Sequence, residues 1–319
     1  MSVPARHWSQ VGEGGAVAGL WLMYALYRAA GRLPFRVVLY PVVACYWLAY
    51  PAARRASLEY LVNLQQATGA LGHAPGWRDT MRHFLSFADT LLDKMLAAGG
   101  RYRFDRLRFV GRAALEAQMK SGRGALLVTA HVGCLEMCQA LADAPHLKLT
   151  VLVHTLHAEH FNRVLERLSP GRAVRLLQVT EVTPATAVLL AQRIDAGEFV
   201  AIAGDRVPVS GGRASRVDVP FLGRLAPFPI GAYLLASILK CPLVMMGCIR
   251  QGDTHEIVFE RLADAVRLPR ADRLAACAAY AGDFAQRLER LLVRAPFEWF
   301  NFYSFWDQPD GAAAPALHD

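Results

Sequence analysis

The chain has 319 residues, 54% hydrophobic and 19% charged. That composition excludes an intrinsically disordered chain, and the length allows a substantial core in one large domain or two small ones. The formal net charge of +8 comes almost entirely from arginine, since Lys94, Lys120, Lys148 and Lys240 are the only lysines. A basic surplus suits nucleic acid, an anionic membrane face or an acidic protein. No zinc-finger spacing, basic heptad helix or RNP-like aromatic motif accompanies it, so nucleic acid drops out. Cys45, Cys134, Cys138, Cys241, Cys248 and Cys277 include no Cys-x-x-Cys pair and read as buried thiols in a reducing compartment.

In chain order, Gly19–Ala30 predicts an apolar helix interrupted by Arg28. Val37–Tyr50 follows without a single charge, bracketed by Arg36 and by Arg54 and Arg55. No small-residue cleavage site follows an apolar stretch, which argues against a signal peptide. Those fourteen residues fall short of the roughly 20 that span a bilayer. Tyr40, Tyr46, Trp47 and Tyr50 beside arginines suit the headgroup boundary; a helical hairpin packed inside the protein is the alternative.

From Arg54 to Ala98 apolar residues recur at helical spacing, and Gly99-Gly100 breaks the pattern. Beyond it, short apolar runs predict strands at Gly124–His131, Leu149–Thr155, Val174–Val179, Phe199–Asp205, Cys241–Arg250 and Glu256–Leu262. Helices are predicted between and after them at Leu135–Ala142, Ala158–Leu168, Pro184–Asp195, Ile230–Lys240 and Arg270–Arg294. This alternation predicts an α/β fold with a mostly parallel central sheet flanked by helices. The expected organisation is a membrane-associated helical segment over 1–56 and an α/β domain over 57–309, of which 57–98 is a helical lead-in. Residues 310–319, rich in Ala, Gly and Pro, read as a disordered tail.

Sites of open α/β sheets gather beyond the carboxyl ends of the strands. His131 follows one predicted strand and Asp205 another. Gly133 permits a tight turn after His131, and Glu136 then falls in the first turn of the next helix, where the helix dipole favours a carboxylate. From there Glu136 can accept a hydrogen bond from one imidazole nitrogen, leaving the other to deprotonate an alcohol. The bland reading is a core histidine and a surface glutamate. Cys134 is a rival nucleophile. His154, His157 and His160 cluster without carboxylates at ligand spacing, so no metal is expected. Absent nucleophile-elbow, P-loop, H-E-x-x-H and dinucleotide motifs remove serine hydrolases, P-loop NTPases, zincins and simple dinucleotide enzymes. Arg213 and Arg216, beside Gly211-Gly212, form a basic loop that suits an anionic group or is simply solvated.

The H-x4-E motif resembles the H-x4-[DE] signature of glycerolipid and lysophospholipid acyltransferases. More closely, the chain resembles the lipid A late acyltransferases, the lauroyl and myristoyl transferase group. The likeness runs through His7-Trp8-Ser9-Gln10, Gly12-Glu13, Tyr60-Leu61, the GALLVTAHVGCLEM run, Gly204-Asp205-Arg206, Val219-Pro220-Phe221-Leu222-Gly223 and Pro229-Ile230-Gly231. The resemblance implies fatty acyl transfer from an acyl carrier protein thioester to a hydroxyl of a lipid or glycolipid, on the cytoplasmic face of a bacterial inner membrane. It implies no cofactor beyond the donor. It makes His131 the general base, Glu136 its orienting carboxylate and Asp205 a third member, with Arg172 or Arg175 nearest the family's arginine and Arg206 beside the aspartate. The opening residues and Asp205-Arg206 look more like a side branch acting outside lipid A synthesis. A catalytically idle lipid-binding or scaffold protein, and an acyl-CoA-dependent lysophospholipid acyltransferase, are the alternatives.

Overall fold

The computed structural model describes residues 14–102, 107–135, 137, 148–153, 174–178, 183–208 and 213–307. Four helices open it: α1 (Gly14–Ala30), α2 (Arg32–Ala49), α3 (Pro51–Thr68) and α4 (Trp77–Ala98). Proline at the first turn of α3 sacrifices no hydrogen bond, and Gly69 ends that helix in the left-handed region at φ 70°. At the start of α4 the Asp79 carboxylate accepts the Gly76 N–H at 2.8 Å. Helix α3 runs across the boundary expected at 56/57, with Ala56, Ser57, Tyr60, Leu61 and Leu64 all buried. Among the described residues no single helix is long and apolar enough to cross a membrane. Helices α2 and α3 pass that test only as a pair, bent by 97°.

The α/β part contains β1 (Leu107–Val110), α5 (Arg112–Lys120), β2 (Leu126–Thr129), β3 (Leu149–Val153), β4 (Val174–Gln178), α6 (Pro184–Asp195) and β5 (Phe199–Ala203). It continues with β6 (Arg216–Phe221), β7 (Arg224–Pro229), α7 (Gly231–Leu239), β8 (Leu243–Gln251), β9 (Thr254–Ala263) and α8 (Arg273–Arg294). Seven strands pair in the order β1-β9-β8-β2-β5-β3-β4. Every neighbouring pair is parallel except the β8–β9 hairpin. The mostly parallel sheet expected from the alternating pattern is therefore present.

Strand β2 is central and buried on both faces, which explains its unbroken apolar run. Leu126 and Val128 belong to the larger core with α7 and α8, whereas Leu127 packs with Phe199, Ala201, Val244 and Met246 on the other side. Helix α8 covers its face with Cys277, Ala281, Phe284, Ala285, Leu288, Leu291 and Leu292, a stripe at helical spacing. Burying one such leucine or phenylalanine is worth about 1.5–3 kcal/mol.

All six predicted strands and the helices at Pro184–Asp195, Ile230–Lys240 and Arg270–Arg294 appear, within a few residues of their expected ends. The helices expected at Leu135–Ala142 and Ala158–Leu168, and the tail 310–319, lie largely or wholly outside the described residues. Helix α5 was not expected from the sequence, and two β features also escaped the reading. One is the short edge strand β1, which pairs only with β9. The other is the separate β6–β7 hairpin, whose Pro220, Pro227 and Pro229 argue against a strand. A two-stranded ribbon has only edges, so proline is tolerated there. Leu222 (φ 49°) and Gly223 (φ 77°) form its two-residue turn, matching the twist of the ribbon.

Candidate active site

Strands β2 and β5 run parallel side by side, with Thr129 in register with Ala203. His131 and Asp205 each lie two residues beyond that pair, so the topology brings both to the same carboxyl edge. Their side chains meet. Asp205 Oδ1 lies 2.7 Å from His131 Nδ1, and Asp205 Oδ2 accepts the His131 backbone N–H at 2.8 Å. A carboxylate beside Nδ1 fixes the tautomer: Nδ1 carries the proton and Nε2 the lone pair.

Asp205 is fully buried, and the rest of its hydrogen-bonding capacity is met by the C-terminal segment. Trp299 Nε1 donates to Oδ2 at 3.0 Å and Asn301 Nδ2 to the same oxygen at 3.2 Å. With three donors on Oδ2, Oδ1 is left for the imidazole. Arg206 in turn donates Nε–H to Asn301 Oδ1 at 3.0 Å and a guanidinium N–H to the Phe300 carbonyl at 3.1 Å. The same segment lies antiparallel against the turn after His131. Phe300 N donates to His131 O, Gly133 N donates to Glu298 O, and Val132 bridges Trp299.

Gly133 is required at that turn. Its φ is +55°, and a Cβ there would sit 1.9 Å from the Cys248 carbonyl oxygen, a backbone atom of β8 that cannot swing away. Gly204, just before Asp205, is similarly confined: a Cβ would meet Val128 Cγ2 at 2.4 Å and the Phe284 ring at 3.2 Å.

The helices grip the segment from its other side. His83, fully buried on α4, places Nε2 2.8 Å from the Trp299 carbonyl. A carbonyl only accepts, so Nε2 carries the proton and Nδ1 accepts the Ser57 hydroxyl at 2.9 Å. Burial depresses the His83 pKa to about 4, so the ring stays neutral, as this arrangement requires. Tyr60 donates its hydroxyl to the Pro296 carbonyl at 2.9 Å.

Electrostatics suit His131 to act as a base. Burial and the nearby Arg206 charge lower its pKa below the ordinary histidine value, against the opposing pull of Asp205. Burial alone would raise the Asp205 carboxyl; the facing His131 ring, its hydrogen bonds and Arg206 outweigh it and hold the group well below the usual carboxylate range. The His131 side chain is 34% exposed, so it can be reached.

The other sequence candidates are distributed as follows. Glu136 and Arg172 lie outside the described residues, as do His154, His157 and His160. Arg175 stands on β4 opposite Thr150 and Arg213 in the short 3-10 turn before β6, but their side chains lie outside the described residues. Arg216 is half-buried at the start of the hairpin. Arg206 joins His131 and Asp205 by holding the segment that clamps the carboxylate. Cys134 is completely buried, which disfavours it as a nucleophile. Trp299, Asn301 and His83 were missed by the sequence reading. The available signal was the aromatic run Phe297–Trp306, in which polar Asn301 is enclosed.

A comparison with protein families settles the affiliation: the family described as bacterial lipid A biosynthesis acyltransferase matches residues 85–308, well over half of the chain. The chain belongs to that family. No curated protein matches the sequence. Membership in the lipid A acyltransferase family brings acyltransferase chemistry, with an acyl donor and a lipid or glycolipid acceptor. The matched region contains His131, Asp205, Trp299 and Asn301, so the clamp described above lies within the family's own part of the chain.

Trp299→Phe tests the clamp. Phenylalanine removes the N–H to Asp205 and leaves a gap among Tyr60, Phe221, Phe305 and Trp306. The expected cost is about 2 kcal/mol of stability, with kcat down about tenfold. KM should not change, which thermal unfolding and steady-state kinetics can check together.

Proposed function

We propose that this lipid A acyltransferase family member transfers a fatty acyl group from a thioester on acyl carrier protein to a hydroxyl of a lipid or glycolipid at the cytoplasmic face of a bacterial inner membrane. The observation that carries the reading is the His131–Asp205 pair at adjacent strand ends, 2.7 Å apart, with His131 accessible and held neutral.

The acceptor hydroxyl attacks the thioester carbonyl carbon while His131 Nε2 takes its proton. Asp205, fixed in its ionised form, stabilises the resulting imidazolium. Collapse of the tetrahedral intermediate breaks the carbon–sulfur bond, and the imidazolium returns the proton to the departing thiolate. Atoms and charge balance without a protein nucleophile or cofactor. Asp205 takes over the orienting role that the sequence reading gave to Glu136. We keep Glu136, in the turn after His131, as a second anion serving the same imidazolium. The arginine surplus suits the acidic donor protein and anionic lipid alike, with Arg172, Arg175, Arg213 and Arg216 as the proposed contacts for donor or acceptor phosphates. The opening residues 7–13 and Asp205-Arg206 favour an acceptor outside lipid A synthesis.

Purified protein in mixed detergent–lipid micelles should transfer a labelled acyl group from acyl carrier protein faster than from CoA. Because the folded His131 pKa is lowered, the base is already deprotonated at neutral pH. The acidic limb of kcat/KM is therefore expected below pH 6.5, the ordinary histidine value. No transfer from any acyl thioester, or a rate that climbs as pH falls through that range, would sink the proposal. Mass spectrometry of lipids from a deletion strain names the acceptor.

A further inference from the structure

Helix α2 touches the rest of the protein along one stripe. Phe35, Leu39 and Val43 recur at four-residue spacing and pack with Phe84, Leu92, Met95 and Leu96 of α4. Around that stripe the helix is apolar and uncovered: Leu33 is 79% exposed, Val37 72% and Leu48 63%, with Tyr40, Val42 and Tyr46 also exposed. An uncovered apolar face of this extent marks an interaction surface.

The charges carried by the segment itself have one sign. Residues 14–58 contain Arg28, Arg32, Arg36, Arg54 and Arg55 and no acidic residue. The Arg54 guanidinium stacks 4.5 Å from the Trp47 ring centre, and Tyr46 stacks on Tyr50 at 4.1 Å. Arginines and amphipathic rings bordering an apolar face match the headgroup layer of an anionic leaflet. A second copy of the chain would instead bring like-charged rims together.

The packing argues against a span. The uncharged run Val37–Ala49 is roughly 20 Å long as a helix, against a hydrocarbon core of ~30 Å. Extending it backwards meets Arg32 and Arg36, which pair with Asp93 at 3.5 Å and Asp89 at 3.0 Å on α4. Extending it forwards meets the 97° bend into α3, whose Tyr60, Leu61 and Leu64 are locked in the main core.

We propose that α2 lies in the plane of the membrane, its outer face sunk into one anionic leaflet and both its ends on the side of the catalytic domain. The inference rests on the reading that the protein works at a membrane, but not on the acyl-transfer chemistry. The full chain carrying Cys45→Ser, with Ala30→Cys, Val42→Cys or Ala52→Cys, is mixed with preformed vesicles of phosphatidylcholine containing phosphatidylglycerol. A membrane-impermeant maleimide should label both flanking positions, and Val42→Cys should become shielded only when vesicles are present. Partitioning should fall by about tenfold on pure phosphatidylcholine. The Val37→Glu/Val42→Glu variant should lose flotation with the vesicles while keeping transfer in detergent micelles. Protection of one flanking position would mean a span and overturn the proposal. So would unaltered flotation of the double-glutamate chain, or shielding of Val42→Cys without lipid in a species that sediments as a dimer. Flotation that persists in a chain without acyl transfer would refute the chemistry and leave the in-plane helix standing.

Discussion

Asp205→Asn is expected to lower kcat by about 10³- to 10⁴-fold while leaving KM and the fold nearly unchanged. The side chains are isosteric, so the loss comes from the altered hydrogen bonding and from the missing negative charge opposite the imidazolium. Three donors converge on Oδ2: the His131 N–H, the Trp299 indole and the Asn301 amide. They orient the new amide with its oxygen towards them and its NH2 towards His131 Nδ1. That nitrogen must then accept, which moves the ring proton to Nε2 and removes the base. The opposite flip sets the NH2 against three donors and is worse. Steady-state kinetics on a variant of unchanged melting temperature checks this. Retention of more than about a tenth of wild-type kcat would show that Asp205 does not orient the base.

Arg250→Ala carries the largest expected loss of stability, about 3–5 kcal/mol. Asp93 is fully buried on α4 and forms its main ion pair with Arg250 of β8, supported by Arg32 at 3.5 Å, while the His255 ring lies 3.6 Å away. His255 also contacts the Tyr102 hydroxyl at 2.5 Å, and burial lowers its pKa to about 3. Removing Arg250 leaves a buried carboxylate with too little compensation. Burial already raises the Asp93 pKa despite the two arginines, and the variant should raise it further. A raised carboxyl pKa makes the folded state take up a proton more readily than the unfolded chain. The stability difference between variant and wild type should therefore shrink as pH falls and grow as it rises through the raised value. Taking the difference cancels the opposite acid sensitivity of neutral His83, whereas His255 loses the repulsion of Arg250 and moves the difference in the same direction as Asp93. Arg250→Met combined with Asp93→Leu should recover most of the loss, because an apolar pair of similar volume replaces a desolvated ion pair. Urea unfolding at several pH values provides the check; a single variant within 1 kcal/mol of wild type would refute the role given to this pair.

His131 and Asp205 were legible as neighbours because each ends an apolar run, and parallel strands present their carboxyl ends at one edge. Their direct pairing was not. Within the sequence, Glu136 lies closer to His131 and falls outside the described residues; Asp205 meets His131 because β2 and β5 are adjacent and in register. Trp299 and Asn301 carried no motif, since their role depends on a return of the chain from nearly a hundred residues beyond Asp205.

The apolar run of α2 was likewise visible as a string of uncharged residues between arginines, but its string did not distinguish a span from a surface helix. The proposal of an in-plane helix rests instead on the stripe Phe35–Leu39–Val43 packed on α4 and on the sharp turn into a buried α3. By itself the sequence determined what is encoded locally: helix and strand periodicity, the α/β class, the family and the histidine at a strand end. The tertiary structure decided that Asp205 meets that histidine, what clamps it and which face of the N-terminal helix packs on α4. Those outcomes are contacts between distant segments, and side-chain identity at one position does not encode the distance to another.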